Sequence, residues 1–504
     1  MIPAVWRARL AAATVALTGG IAAVAGSYAV VGGTPTFVAA PVANLTNTLA
    51  PAALVTFAIT VLGDLGSKLA YASGLAATAA LLGVAVAIGR IAATRAGRPL
   101  LTPAAVAVAV GALAAALVGA ADSAVGAADS AVGAAVGAAL VTTVAGFGAG
   151  ADTSPSADAD AAPDDARRAL LSSAAALALG VVGVGGRRAL APADPIPTQP
   201  VPDDVAALLD EAVTKSLDVE GLEPLVSDRF YQVDVANVDP DPAREDWSLR
   251  IHGAVDEEAT YDIDDVEAME HEHRFVSLRC VGENLNGRKL DTALWTGVPL
   301  SEILDPVDLH GEYVMLRAAD GFYEEFPVEA LRDGFLAVGM NGQPLPRGHG
   351  APARALIPGH WGEINVKWLT EIEILDEPAT GYWEERGWHG TGPVNTVAKL
   401  WARNRLDDGQ LEIAGPAYAG TRGIRAVEVS TDGGDTWTEA ELSDPLPGED
   451  VWRQWVHRYD AAGPHEVVVR AIDDTGTVQP ADEADAFPNG PSGWVSESVD
   501  PASL

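Results

Sequence analysis

The sequence predicts a multi-domain chain: an all-α transmembrane bundle, an α+β body and an all-β sandwich. Three observations carry this. Residues 1–150 are mostly Ala, Val, Gly and Leu, and nearly all of the 69 acidic residues lie after Asp152. Residues 226–400 alternate strand-like runs with short helical ones, the mixture expected of an α+β domain. Residues 408–495 hold several short strands at regular turn spacing, the pattern of a sandwich. The expected boundaries are 1–190 for the membrane domain, 191–225 for a linker, 226–400 for the central domain and 401–504 for the last.

The apolar runs cover roughly 10–31, 50–66, 70–90, 101–120, 132–150 and 169–186. Each approaches the ~20 residues needed to cross a bilayer. The first is not a cleavable signal on its own, because further spans follow. Run 50–66 is the weakest, since Asp64 and Lys68 fall at its end and a mid-membrane carboxylate costs about 3 kcal/mol. Residues 121–134 repeat ADSAVGA in tandem and read as a duplicated connecting segment. Basic residues set the topology. Arg7 and Arg9, then Arg90, Arg95 and Arg98, then Arg167 and Arg168 belong inside the cell. Five crossings satisfy all three groups if run 50–66 is re-entrant or pairs with the next, which puts the body outside; Arg187 and Arg188 oppose this. The linker APADPIPTQPVPDD (191–204) reads as extended chain, followed by a helix at Val205–Ser216.

The formal charge is −37, with only five lysines: Lys68, Lys215, Lys289, Lys367 and Lys399. Such a surface repels nucleic acid and anionic membranes. Adaptation to high salt is the expected cause, because a Debye length of about 3 Å at 1 M screens the self-repulsion. All 9 histidines lie in the body, so the membrane domain cannot hold a bis-histidine haem and no haem is expected. Electron traffic would need a quinone or a separate carrier.

Cys280 is the only cysteine, which excludes an internal disulfide and any multi-cysteine metal site. It is either an inert buried thiol or one thiolate presented to a metal or substrate. The surrounding motifs decide. In order they are Phe230-Tyr231; Phe275-Val276-Ser277-Leu278-Arg279-Cys280; Trp295-Thr296-Gly297-Val298-Pro299-Leu300; and the run Met340 to Gly350 (MNGQPLPRGHG). Then come Pro352-Ala353-Arg354, Pro358-Gly359-His360-Trp361-Gly362 and Val366-Lys367-Trp368-Leu369. This order resembles the sulfite oxidase family of molybdopterin enzymes. The resemblance implies a molybdenum–molybdopterin cofactor with Cys280 as the protein ligand to the metal. A soft thiolate suits that role. It also implies that Tyr231, Asp320, His349, Arg354, Gly362, Asn365 and Lys367 bind the cofactor. His349, Arg354 and Lys367 are donors suited to its phosphate. His271 and His273 fall in an acidic helix-like stretch and read as a solvated face.

The chain also departs from sulfite oxidases. Family members bind the anion with arginines and a tyrosine. The matching positions here are Val233, the stretch Gly282-Glu283-Asn284-Leu285-Asn286, and Val338. A buried dianion without compensating cations is costly, so sulfite itself is disfavoured. The expectation is oxygen-atom transfer to or from a small substrate, with an electron carrier that the sequence does not identify. The rival is a membrane-tethered binding protein on a degenerate molybdopterin scaffold.

Residues 408–495 resemble the immunoglobulin-like dimerisation domain that follows the catalytic domain in this family. Leu411 to Ala417 fits the opening strand, Val427 to Trp437 a hairpin turned at Asp432-Gly433-Gly434, and Val467 to Asp474 a closing strand. A homodimer through this domain is implied; a sandwich without dimerisation is the alternative.

Overall fold

The structure is a computed structural model and describes residues 4–119, 124–150 and 200–504. The apolar run 169–186, Arg167, Arg168, Arg187, Arg188 and most of the linker lie outside the described residues. The chain divides into two compact units. One takes Met1–Ala50, Asp64–Thr198 and Asp234–Asp241; the other takes Pro51–Gly63, Gln199–Val233 and Pro242–Leu504.

The first unit is helical. Helix Ala4–Val31 packs against Asp64–Arg95 and Ala124–Gly150, and Thr102–Gly119 packs against the latter two. Small residues let these backbones approach closely. A side chain at Gly20 would start 2.0 Å from the Ala79 carbonyl oxygen, and one at Gly26 would start 2.2 Å from that of Gly133. Ser27 and Ser130 share a buried 2.8 Å hydrogen bond. The second ADSAVGA copy is therefore part of a helix and not a connector: its Ser130 and Gly133 supply the close contact. Residues Asp234–Asp241 dock here too, where Asn237 donates through its backbone to Asn44 Oδ1 (2.9 Å) and through its amide to the Ala43 carbonyl (2.7 Å).

Among the described residues, three helices are long and apolar enough to cross a membrane: Arg9–Val31, Leu65–Arg95 and Thr102–Gly119. A fourth arises only if Ala40–Leu49 and Ala52–Leu62 count as one bent span. The five crossings expected include run 169–186, which lies outside the described residues. Run 50–66 breaks at Gly63, whose φ of 52° ends one helical turn before Asp64 opens the next helix. Asp64 and Lys68 thus begin a helix instead of closing a span. Ala127–Thr143 is a further apolar stretch within the 27-residue helix Ala124–Gly150.

In the second unit, helix Asp203–Lys215 has two acids in its first turn and a lysine in its last, matching the helix dipole. A five-stranded sheet runs in the order Ala259–Asp262, Ser248–Gly253, Leu369–Leu375, Tyr313–Ala318, Tyr323–Pro327. A second sheet runs Glu272–Arg279, Leu290–Pro299, Phe335–Met340, Gln343–Pro344, with Arg354–Leu356 also on Phe335–Met340. Two further sheets of antiparallel strands form the C-terminal sandwich. Ile413, Ala417 and Trp455 of one meet Val427, Val467 and Val469 of the other in a single core.

Val298 and Pro299 close strand Leu290–Pro299, and a helix starts at Leu300. One local expectation changes. The stretch at His271 is no helix: Glu272–Arg279 is a strand that is buried from Phe275 onward. His273 Nδ1 lies 2.9 Å from Thr296 Oγ1 on the neighbouring strand.

That strand ends at Cys280, and a buried ion-pair triad fixes the loop after it. Glu283 accepts from Arg279 Nε at 2.9 Å and from Lys399 Nζ, with all three side chains almost fully buried. Its other oxygen accepts from the Lys289 backbone at 2.9 Å. Burial lowers the pKa of both cations, Lys399 to about 8. Removing one partner of such a set strands a charge in the interior. Glu283→Gln should therefore destabilise the chain by about 3–5 kcal/mol, read as a fall in thermal midpoint against wild type.

Candidate functional site

The ordered motifs meet at the end of strand Glu272–Arg279. Phe230 stacks on Tyr231 (ring centroids 5.5 Å apart) and meets Trp295 and His349 edge-on at 5.4 and 5.6 Å. The Arg354 guanidinium lies over the Trp295 ring, 5.2 Å from its centroid. Tyr231 is pinned by its backbone N–H, which donates to Asp291 Oδ2 at 2.8 Å. Gly362 passes so close that a side chain there would begin 2.6 Å from the Tyr231 hydroxyl and 3.3 Å from the Arg279 carbonyl oxygen. Only glycine fits that approach. Gly350, at a φ of 111°, lies equally close to Arg354 Cβ and Lys367 Cα, 3.0 Å from where its own side chain would begin.

Arg354 is almost fully buried. Its Nη1 donates to the His349 carbonyl at 3.1 Å and its Nη2 to the Asn365 carbonyl at 2.9 Å, while its Nε has no partner. Lys367 Nζ donates to the Gly348 carbonyl at 3.0 Å. Burial pushes the Lys367 amine down to about 7 and Arg354 down to about 10. Burial, then the Arg354 charge, brings His349 down to about 4. The site thus gathers basic groups that are costly to charge where they stand. A bound phosphate would reverse that cost for Lys367 and satisfy the orphaned Arg354 Nε.

Cys280 keeps some exposed surface. Burial pushes its thiol up, nearby Lys289 opposes this, and Glu283 and Glu363 add to it. Metal coordination would deprotonate it outright. The Tyr231 hydroxyl is pushed well up by burial and then by Cys280, which places the two groups within electrostatic reach.

The other two named residues act through the backbone. Asn365 spends its side chain on the loop: Oδ1 accepts from the Ile357 N–H at 2.7 Å, and Nδ2 donates to the Trp361 carbonyl at 2.9 Å. Its own carbonyl holds Arg354. Asp320 Oδ1 accepts from the Phe322 N–H at 2.9 Å and shapes a strand turn. The preceding backbone reaches the site, since the Ala319 N–H donates to the Trp368 carbonyl at 2.9 Å. The Cys280 thiol, the buried cations and the close-packed glycine are chemically compatible with a molybdopterin: a thiol for the metal, and Arg354, Lys367 and His349 as donors that could meet its phosphate.

Sequence reasoning missed a second cluster. Glu324, Glu363 and Glu384 each bring a carboxylate oxygen within 4.8 Å of the others. Glu363 directly follows Gly362, and burial, then Glu384, raises it to about 8. Burial raises Glu324 well above the carboxylate range. Three acids far apart in the chain give no sequence signal. It also left Trp388 unassigned, although its ring lies 3.6 Å from where a side chain on Gly282 would begin.

Residues 234–383 match the oxidoreductase molybdopterin binding domain, and residues 395–487 match the Mo-co oxidoreductase dimerisation domain. The chain is 27% identical over 306 residues to mitochondrial sulfite oxidase of Rattus norvegicus, covering 49% of this chain and 55% of that protein. It is 30% identical over 229 residues to the mitochondrial sulfite oxidase of Mus musculus, covering 39% and 37%. It is 25% identical over 314 residues to the NADH nitrate reductase of Spinacia oleracea, covering 48% and 34%. The chain spans about half, or less, of the length of these relatives. Among solved structures it is similar to the sulfane dehydrogenase SoxCD from Paracoccus pantotrophus. The TM-score is 0.46 at 20% identity, over 61% of this chain and 92% of that one. The chain thus carries a molybdopterin-binding oxidoreductase domain followed by an immunoglobulin-like Mo-co dimerisation domain.

The buried lysine supplies a signed pH prediction. Between about 7 and its ordinary value of 10.5, Lys367 is neutral in the folded chain and protonated in the unfolded one. Stability therefore rises with pH across that window. In cofactor-free protein, wild type should gain stability over Lys367→Met as pH rises from 7 to 9. In cofactor-loaded protein that gain should vanish, because the bound phosphate keeps Lys367 charged. Thermal melts of both variants in both states check it.

Proposed function

We propose that this chain, whose catalytic and C-terminal domains are of the sulfite oxidase type, is a membrane-anchored molybdopterin-dependent oxidoreductase. It moves an oxygen atom to or from a small substrate. The observation that carries the reading is the set of buried basic groups around Arg354 beside the sole thiol, Cys280. When bound, the molybdenum centre supplies two-electron oxygen-atom exchange, and the protein supplies placement and electrostatics. Cys280 holds the metal. Arg354, Lys367 and His349 hold the anionic end of the cofactor, and Gly362 lets the backbone approach it beside Tyr231. Asp320 and Asn365 shape the loops that carry these groups. The same residues oppose the rival binding-protein reading, since a degenerate scaffold has no need to keep a costly buried arginine.

Sulfite is a poor fit. Val233 and Val338 stand where the family has an arginine and a tyrosine. Val233 is exposed, and Val338 packs against the main core. Glu283 is consumed by its ion pairs. A dianion would find no compensating cation from these positions.

The remaining parts of the reading rest on the sequence and the domain matches. Arg9 and Arg95 bound successive apolar helices and set both ends inside the cell by the positive-inside rule. With helix Ala124–Gly150 and the apolar run 169–186 as further crossings, five in all, the catalytic domain stands outside. The dimerisation domain supports a homodimer, and a separate carrier exchanges the electrons.

Two measurements test the proposal. Protein purified from a host that makes the cofactor should contain close to one molybdenum per chain; less than about a tenth overturns the reading. Cys280→Ser should melt within a few degrees of wild type and lose turnover on a panel of sulfoxides, N-oxides and sulfite. Undiminished turnover would remove Cys280 from the chemistry.

A further inference from the structure

Residues 51–63 lie in sequence between apolar helices of the first unit, yet they belong to the compact unit that holds Cys280. They form helix Ala52–Phe57 and a π-turn Ala58–Leu62, with no charged residue. The helix packs on the turn Glu384–Arg386. Ile59 joins the apolar cluster of Val281, Leu285, Trp383 and Trp388. Its Cγ2 lies 2.9 Å from where a side chain on Gly282 would begin, so it fills the space beside the second residue after the metal ligand. This is the stretch in which the family carries an anion-binding arginine.

We propose that Ile59 determines substrate specificity: the segment 51–63 forms an apolar wall on the approach to Cys280 and selects a neutral, apolar substrate over an oxyanion. An ion brought against Ile59 would lose hydration with no donor from that side chain in exchange, and the Trp388 atom nearest Gly282 is a ring carbon, Cη2. An apolar group would instead bury surface there. The segment is thus a piece of the membrane-domain sequence that furnishes the catalytic domain with a substrate wall. This inference rests on the oxidoreductase reading for its kinetic test, but its second test does not.

The kinetic test compares kcat/KM for an aryl methyl sulfoxide, dimethyl sulfoxide and sulfite, using the full molybdenum-loaded chain in detergent. Wild type should favour the aryl substrate. Ile59→Ala should lower kcat/KM for the aryl substrate roughly tenfold, mainly through KM, and leave dimethyl sulfoxide within about twofold. An equal loss on all substrates, or no loss, overturns the proposal.

The second test uses Cys280, the only thiol in the chain, as its own probe. In full-length cofactor-free protein, N-phenylmaleimide should label Cys280 faster than an anionic sulfonated maleimide, after correction for their rates with a free thiol. Ile59→Arg should invert that order. An unchanged order in a variant with wild-type melting overturns the wall. If wild type binds molybdenum but turns over no substrate while the labelling order holds, the activity reading fails and the wall stands.

Discussion

One buried carboxylate organises the catalytic unit. Glu283 sits between Arg279, which precedes the only thiol, and Lys399, which begins the C-terminal sandwich. A charge in that interior is tolerable only because it is paired twice and accepts a backbone hydrogen bond. Through Arg279 it fixes the end of strand Glu272–Arg279, and through Lys399 it joins that end to the last domain. Lys399 extends the same tie, donating to the Gly287 carbonyl at 2.9 Å. The loop carrying Cys280 is thus fastened from both sides before any cofactor arrives, the support that a metal ligand needs if its position is to be held.

The same economy of charge shapes the pocket. Arg354 lies against Trp295, and the edge of Phe230 faces His349, so aromatic rings replace water around the basic groups. Low dielectric makes these groups hard to charge when alone and strong partners once an anion is present. The downward shifts of Lys367 and His349 express that tension. The fold gives up stability at this spot, and a bound anion would return it. Such local conflict between stability and function is expected at a working site.

Much of this was legible in the sequence because it lies in contiguous motifs. Cys280, His349, Arg354 and Lys367 each sit inside a run whose neighbours identify it, and the structure brings those runs together. The side-chain roles of Asn365 and Asp320 were not legible, because a motif shows where a residue falls and not which atoms its amide or carboxylate will find. The helical fate of the second ADSAVGA copy was hidden for a similar reason. Its Gly133 matters only opposite Gly26, 107 positions earlier in the chain. Ile59 was hidden most completely. A wholly apolar run beside other apolar runs reads as a weak membrane span, and periodicity carries no sign that its partner is a loop more than two hundred residues away.

The three clustered glutamates complete the electrostatic picture. Like charges within 4.8 Å in a buried setting cannot all ionise, and burial already favours the neutral form. With Glu363 raised to about 8, its carboxyl is largely protonated at neutral pH. This matters because Glu363 follows Gly362 and acts on Cys280, whose thiolate an ionised neighbour would disfavour. Keeping that acid neutral removes a negative charge from the side of the thiolate, while Arg354 keeps a positive charge nearby. A chain with 69 acidic residues thus clears negative charge from this spot by burying Glu363 deeply enough to discharge it, while Arg354, at about 10, keeps its charge at neutral pH. An acidic surface and such a site are compatible because desolvation, not composition, sets the charge there.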